Sequence, residues 1–224
     1  MDGVIRCYNC GNPLSEDNKT KEHIPAKNLF EGYGGDYKKN RITVPACQEC
    51  NNAYSHIDEE FRNLIGMIAN NNLNDKISEK AMRGIRRTDK FLSRIRLNKD
   101  FSVRGVSFSY NDMVEFIKKN FKGIFYHQYN IPLPKSYKIE VVFDEKVSIA
   151  NMIISYLKNF KWKESGHRDI FLYCMQPIRD ITFSGNMEPD IEISENEQCV
   201  ACIMRFNKEL DVLAFAISEH IYSL

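Results

Sequence analysis

The chain has 224 residues, 43% of them hydrophobic and 27% charged, with a formal net charge of +1. That balance fits an ordinary soluble globular protein of one large or two small domains. It contains no run of about eighteen apolar residues and no amino-terminal apolar stretch, so neither a membrane span nor a signal peptide is expected. Seven cysteines, four of them in knuckle spacing, suit a zinc site plus free thiols in a reducing compartment, and the expected location is the cytoplasm.

From the amino terminus, residues 4–6 read as a short strand leading into Cys7 and Cys10, with Asn9, Gly11, Asn12 and Pro13 as turn-formers. Glu22-His23-Ile24 reads as a strand ended by Pro25, and Arg41-Ile42-Thr43-Val44 as a second one bounded by Pro45. The second cysteine pair, Cys47 and Cys50, opens a helix expected to run from about Gln48 to Asn70. Tyr54, Ile57, Phe61, Leu64, Ile65 and Ile68 recur along it at three- and four-residue steps. Another helix is expected over Asp75 to about Leu97, weakened in its middle by Gly84. Phe101 to Phe108 alternates like a strand. Ser109 then caps a helix, with Asp112 three residues on and an apolar face of Met113, Phe116, Ile117, Phe121 and Ile124. Pro132-Leu133-Pro134 is the clearest break. Beyond it come a strand (Lys138–Phe143), a helix (Ser148–Phe160) and apolar runs at 170–174, 199–206 and 212–217, the last two joined through Asn207-Lys208-Glu209 as a hairpin.

Two Cys-x-x-Cys pairs supply the four thiolates of a closed tetrahedral zinc site. The stretch between them is longer than in an ordinary zinc ribbon, and it carries the Glu22-His23 couple. Four features follow in order: CYNC, the acid-His-aliphatic-Pro element EHIPA, an Asn ahead of the second pair, and CQECN. In that order they resemble an HNH endonuclease of the ββα-metal type carrying a four-cysteine zinc site, over roughly the first quarter of the chain.

The resemblance implies an α+β protein whose residues 1–70 form a zinc-stabilised, treble-clef-like ββα-metal unit. The periodicities add a helical, basic segment over 71–134 and a small accessory α+β module over 135–224. By position, the resemblance makes His23 the general base on water, a task suited to a side chain whose unperturbed pKa lies near neutrality. It makes Glu22 and Asn51 the ligands of a catalytic Mg2+ or Mn2+, and Asn40 the residue that orders the loop and orients His23. Zinc on Cys7, Cys10, Cys47 and Cys50 is then structural and DNA is the substrate. Glu22 stands where Asp is commoner, and Asn51 where His is.

Nine basic residues between Lys80 and Arg104, against Asp89 and Asp100, make a segment suited to phosphate contact, with Arg83, Arg86 and Arg87 at its centre. A solvated helix face would explain the same charges. Two other readings of the whole chain stand beside the nuclease. One is a non-catalytic zinc hook for protein binding. The other is a nuclease subunit of a larger restriction or antiviral defence complex, with the carboxyl-terminal module as the contact for a protein partner or for self-association. His56 is a rival cation ligand, but five residues past Asn51 it points elsewhere on the helix; Asp58 and Glu59 lie closer to that face, and helix-surface solvation is the simpler explanation of them. Cys199-x-x-Cys202 lies in an apolar run whose residues three apart face opposite sides, so these cysteines and Cys174 read as buried thiols.

Overall fold

A computed structural model describes residues 4–68, 93, 95–99, 103–143, 148–178, 199–208 and 210–218. The first knuckle is a tight turn in which Cys7 N–H donates to Asn12 O and Gly11 N–H to Cys7 O, both at 2.9 Å. Gly11 takes φ +76°, a conformation that favours glycine. Strands β1 (Lys19–Ile24) and β2 (Ile42–Cys47) form an antiparallel hairpin in which Glu22 faces Val44 and His23 faces Thr43. In β2, Ile42, Val44 and Ala46 are buried and Thr43 is exposed, the alternation expected of a half-buried strand. Cys47 ends the hairpin and caps helix α1 (Gln48–Ala53), its sulfur accepting from Cys50 N–H at 3.4 Å.

The single helix expected from Gln48 to Asn70 is two helices. Tyr54 caps α1 at φ −93°, ψ −3°, and α2 starts afresh at Ser55 and runs to Ile68. The two segments answer to different anchors: α1 to the cysteines, and α2 to the apolar stripe of Phe61, Leu64 and Ile65 buried in the core. A second difference concerns Ile95–Leu97, which is strand β3 rather than a helix end. It pairs with β4 (Val103–Val106), because β-branched Ile95 finds an antiparallel partner in Val106. The rest of the helix expected over 75–97, and Arg83, Arg86 and Arg87 with it, lies outside the described residues.

Helix α3 (Tyr110–Tyr129) begins as the sequence suggests, with Ser109 Oγ accepting from Asp112 N–H at 3.3 Å. It ends at Asn130 in the left-handed conformation, whose N–H reaches Tyr126 O at 2.8 Å. Gly123 lets α3 cross closely over β1, since a Cβ there would lie 2.4 Å from the Ile24 side chain.

The remaining strands are β5 (Tyr137–Val142), β6 (Lys163–Glu164), β7 (Phe171–Ile178), β8 (Cys199–Phe206) and β9 (Leu210–Ser218). They form one antiparallel sheet in the order β5-β9-β8-β7-β6. Asn207 and Lys208, between β8 and β9, both take positive φ as the turn demands. One sheet face packs on α3 and the amino-terminal unit. The other packs on helix α4 (Ser148–Leu157) through Ala150, Ile153 and Leu157. Burial on both faces explains why β8 reads as an unbroken apolar run. It also separates Cys202, on the first face, from Cys199 and Cys174 on the second.

The fold is α+β, with the larger of two buried clusters running from the hairpin to the sheet. The Phe61 and Phe116 rings stack at 3.6 Å between centroids, and Phe206 of β8 meets Phe61 edge-on at 5.1 Å. Ser165, fully buried, stitches the same joint: its hydroxyl donates to Ile24 O and accepts from Ile42 N–H at 2.9 Å.

Candidate functional site

Cys7, Cys10, Cys47 and Cys50 converge, with all four sulfurs within 4.8 Å of one another. Tetrahedral zinc at about 2.3 Å from each sulfur sets sulfurs roughly 3.8 Å apart. Cys10 and Cys47 lie at 4.0 Å, so the tetrad fits a structural metal such as zinc. Four thiolates around a divalent ion leave a net negative cluster, and the surroundings answer that charge. Asn9 Nδ2 donates to Cys50 Sγ at 3.4 Å, and Lys122 Nζ of α3 donates to Asn9 Oδ1 at 3.0 Å.

Beside the tetrad lies a cleft of about 340 Å³ between β1, the turn after it and the α1–α2 face. Glu22, His23 and Asn51 all line it. Asn51 follows Cys50 directly, so whatever fixes the tetrad also fixes that carboxamide. Glu22 is only 6% exposed, and its Oε1 pairs with Lys119 Nζ at 3.1 Å. Lys119, fully buried on α3, reaches Asp58 Oδ2 at 2.6 Å as well, and stands 5.4 Å from the centre of the Tyr54 ring. Burial raises the pKa of Glu22 and of Asp58, and the Lys119 ammonium opposes the rise in both. His23 is half-buried. Its pKa is lowered, first by burial and then by the nearby charges of Arg41 and Lys27, so the imidazole is held neutral and able to accept a proton.

Buried polar atoms in proteins are nearly always hydrogen-bonded. Among the described residues seven such side-chain atoms have no partner, and four of them belong to residues that line this one cleft. They are Glu22 Oε2, His23 Nδ1, Asn28 Oδ1 and Asp58 Oδ1. The three oxygens accept, and an imidazole nitrogen without its proton does too. Such a set suits a hard cation with its water, for which oxygen donors are the natural ligands.

Asn40 is not brought to the cleft. It is exposed in the turn before β2 with φ +54°, and its carbonyl accepts from Gly166 N–H at 3.3 Å. His56 is exposed and pairs with Glu60 at 3.4 Å. Asp58, by contrast, is no solvated surface acid. Asn51, Ser55 and Asp58 stand at i, i+4 and i+7, and all three line the cleft across the break at Tyr54. Lys119 carried a weaker signal: three residues past Phe116, it falls on the buried side of α3.

Comparison of the chain with protein-family models, with curated proteins and with solved structures finds no match. Among the described residues no helix is long and apolar enough to cross a membrane.

Proposed function

We propose that the chain is a metal-dependent endonuclease of the HNH kind, hydrolysing phosphodiester bonds in DNA. The observation that carries this reading is the meeting of Glu22, His23 and Asn51 in one cleft, with Asn51 directly following Cys50 of the tetrad. The order of elements, hairpin then helix with the cysteines at its base, accords with it.

In this reading the four cysteines hold a structural zinc, which pins the first turn of α1 and with it Asn51. Glu22 and Asn51 would hold Mg2+ or Mn2+, which would supply Lewis acidity toward the scissile phosphate. His23, kept neutral by its surroundings, takes the proton of the attacking water. Lys21 and Lys27, both exposed at the rim, offer positive charge to the phosphates on either side of the scissile one.

A second reading rests on Lys119. Because Glu22 already has an ammonium partner, the unit could be a zinc hook whose carboxylates serve folding alone. Incubation of zinc-loaded protein with supercoiled plasmid separates the two. The nuclease reading expects nicking with Mg2+ or Mn2+ and none when the divalent ion is withheld. Intact plasmid under every metal condition would leave the zinc hook.

A further inference from the structure

We infer that Asp58 holds the divalent cation together with Glu22, and that Lys119 is the fixed counter-charge that limits the site to one such ion. The inference rests on the cation reading of the cleft, but assigns to it two residues that the HNH resemblance does not include.

The geometry is direct. One buried ammonium binds Glu22 Oε1 at 3.1 Å and Asp58 Oδ2 at 2.6 Å, so the two carboxylates face each other across it. Each has a second oxygen, Glu22 Oε2 and Asp58 Oδ1, that is buried and without a hydrogen-bond partner. Both residues are more than nine-tenths buried, and both line the cleft with Asn51. Two buried carboxylates, each with one oxygen unpaired, call for a further group at those oxygens, since leaving them unpaired is costly.

Charge decides what that group is. Glu22, Asp58 and Lys119 sum to −1 when all are ionised, so the buried end of the cleft favours a cation, while Lys21 and Lys27 stand at its exposed rim. One divalent cation brings the sum to +1, which attracts a phosphodiester. A second would bring it to +3 in an enclosed space, which the low dielectric penalises. Carboxylate and amide oxygens select hard ions such as Mg2+ and Mn2+ over softer ones. The cleft therefore takes a single ion per chain in addition to the zinc.

The test is a titration of zinc-loaded full-length protein with Mn2+ alone, following free Mn2+ by its paramagnetic resonance signal. Nicking in Mg2+ is scored separately. Wild type should bind one Mn2+ per chain, and Asp58→Asn should weaken binding by roughly tenfold or more with zinc content unchanged. Lys119→Gln should bind Mn2+ more tightly than wild type, because the ion is then the sole counter-charge to two carboxylates. That variant also decides the matter should Asp58→Asn fail to fold. If Asp58→Asn binds Mn2+ like wild type while Glu22→Gln loses it, Asp58 is no ligand and the nuclease reading is untouched. Weaker Mn2+ binding by folded Lys119→Gln overturns the counter-charge role, as does a stoichiometry of two. Mn2+ bound by wild type and lost in Asp58→Asn, with no plasmid cut, sustains the inference and sinks the nuclease reading instead.

Discussion

Cys50 and Asn51 are neighbours in the chain, yet the two sites they serve are built in different ways. The tetrad is assembled from two short knuckles joined by a hairpin, and its partners announce themselves by spacing. The cleft draws Glu22 from β1 and Asp58 from α2, and is held by Lys119 of α3, 61 positions beyond Asp58. A metal cluster can organise its own surroundings, because metal binding supplies folding free energy locally. A buried triad of charges depends on the whole core to hold its members at distance. The tetrad should therefore fail completely, whereas the cleft should fail by degrees.

The largest expected effect is loss of the metal. Apparent binding free energies of structural zinc run to about 10–16 kcal/mol. Cys47→Ser, or a strong chelator, should therefore abolish both zinc content and the cooperative thermal transition. Ile24, Ile42 and Val44 belong to the core shared with the sheet, so the damage should reach beyond the hairpin. A zinc-free chain with an unchanged melting curve would break the contrast at its stronger end.

Truncation after Pro134 comes next. It removes β5 to β9 and uncovers Phe61 and Phe116, which now meet Phe206. The remaining piece should lose its sharp melting transition and gain exposed apolar surface, measurable by dye binding. If the piece melts cooperatively at the temperature of the full chain, the core is divisible after all.

Lys119→Gln in the absence of divalent ions should cost about 3–5 kcal/mol, the usual penalty for leaving buried charge uncompensated. Denaturant unfolding measures it. Neutralising the carboxylates as well, through Glu22→Gln and Asp58→Asn, should recover most of that loss, since the triad then has no charge to balance. Failure to recover would mean that Lys119 stabilises by packing.

The smallest effect belongs to the tetrad's surroundings. Asn9→Ala removes the carboxamide between Lys122 and Cys50 and should lower zinc affinity by roughly tenfold, without unfolding the chain. Competition with a chromophoric chelator reads this directly. An unchanged affinity would show that the tetrad needs nothing outside its four sulfurs.

Much of this was legible in the residues. The cysteine spacing, the strand character of Glu22-His23-Ile24 and Ile42–Val44, the Ser109 cap and the Asn207-Lys208 turn are all local, and local chemistry decides them. The break at Tyr54 was hidden because the apolar stripe keeps its period across it. Strand β3 was hidden because Ile95 needs Val106 as partner, and pairing is not a local property. Lys119 is the instructive case. A lysine inside an apolar stripe signals a buried partner, but nothing in the neighbouring residues names Glu22 or Asp58. Asn40 shows the reverse: a match by motif that the backbone leaves on the surface, engaged through its carbonyl with Gly166.

His23→Ala decides whether the cleft does chemistry. The imidazole lines the cleft without a hydrogen bond at Nδ1, so its removal should leave zinc content, Mn2+ binding and the melting temperature close to wild type. The account expects plasmid nicking to fall by about 10²–10⁴-fold, with no recovery on raising Mg2+ or Mn2+, because added metal does not replace a proton acceptor. Nicking at the wild-type rate by folded, zinc-loaded His23→Ala would contradict it.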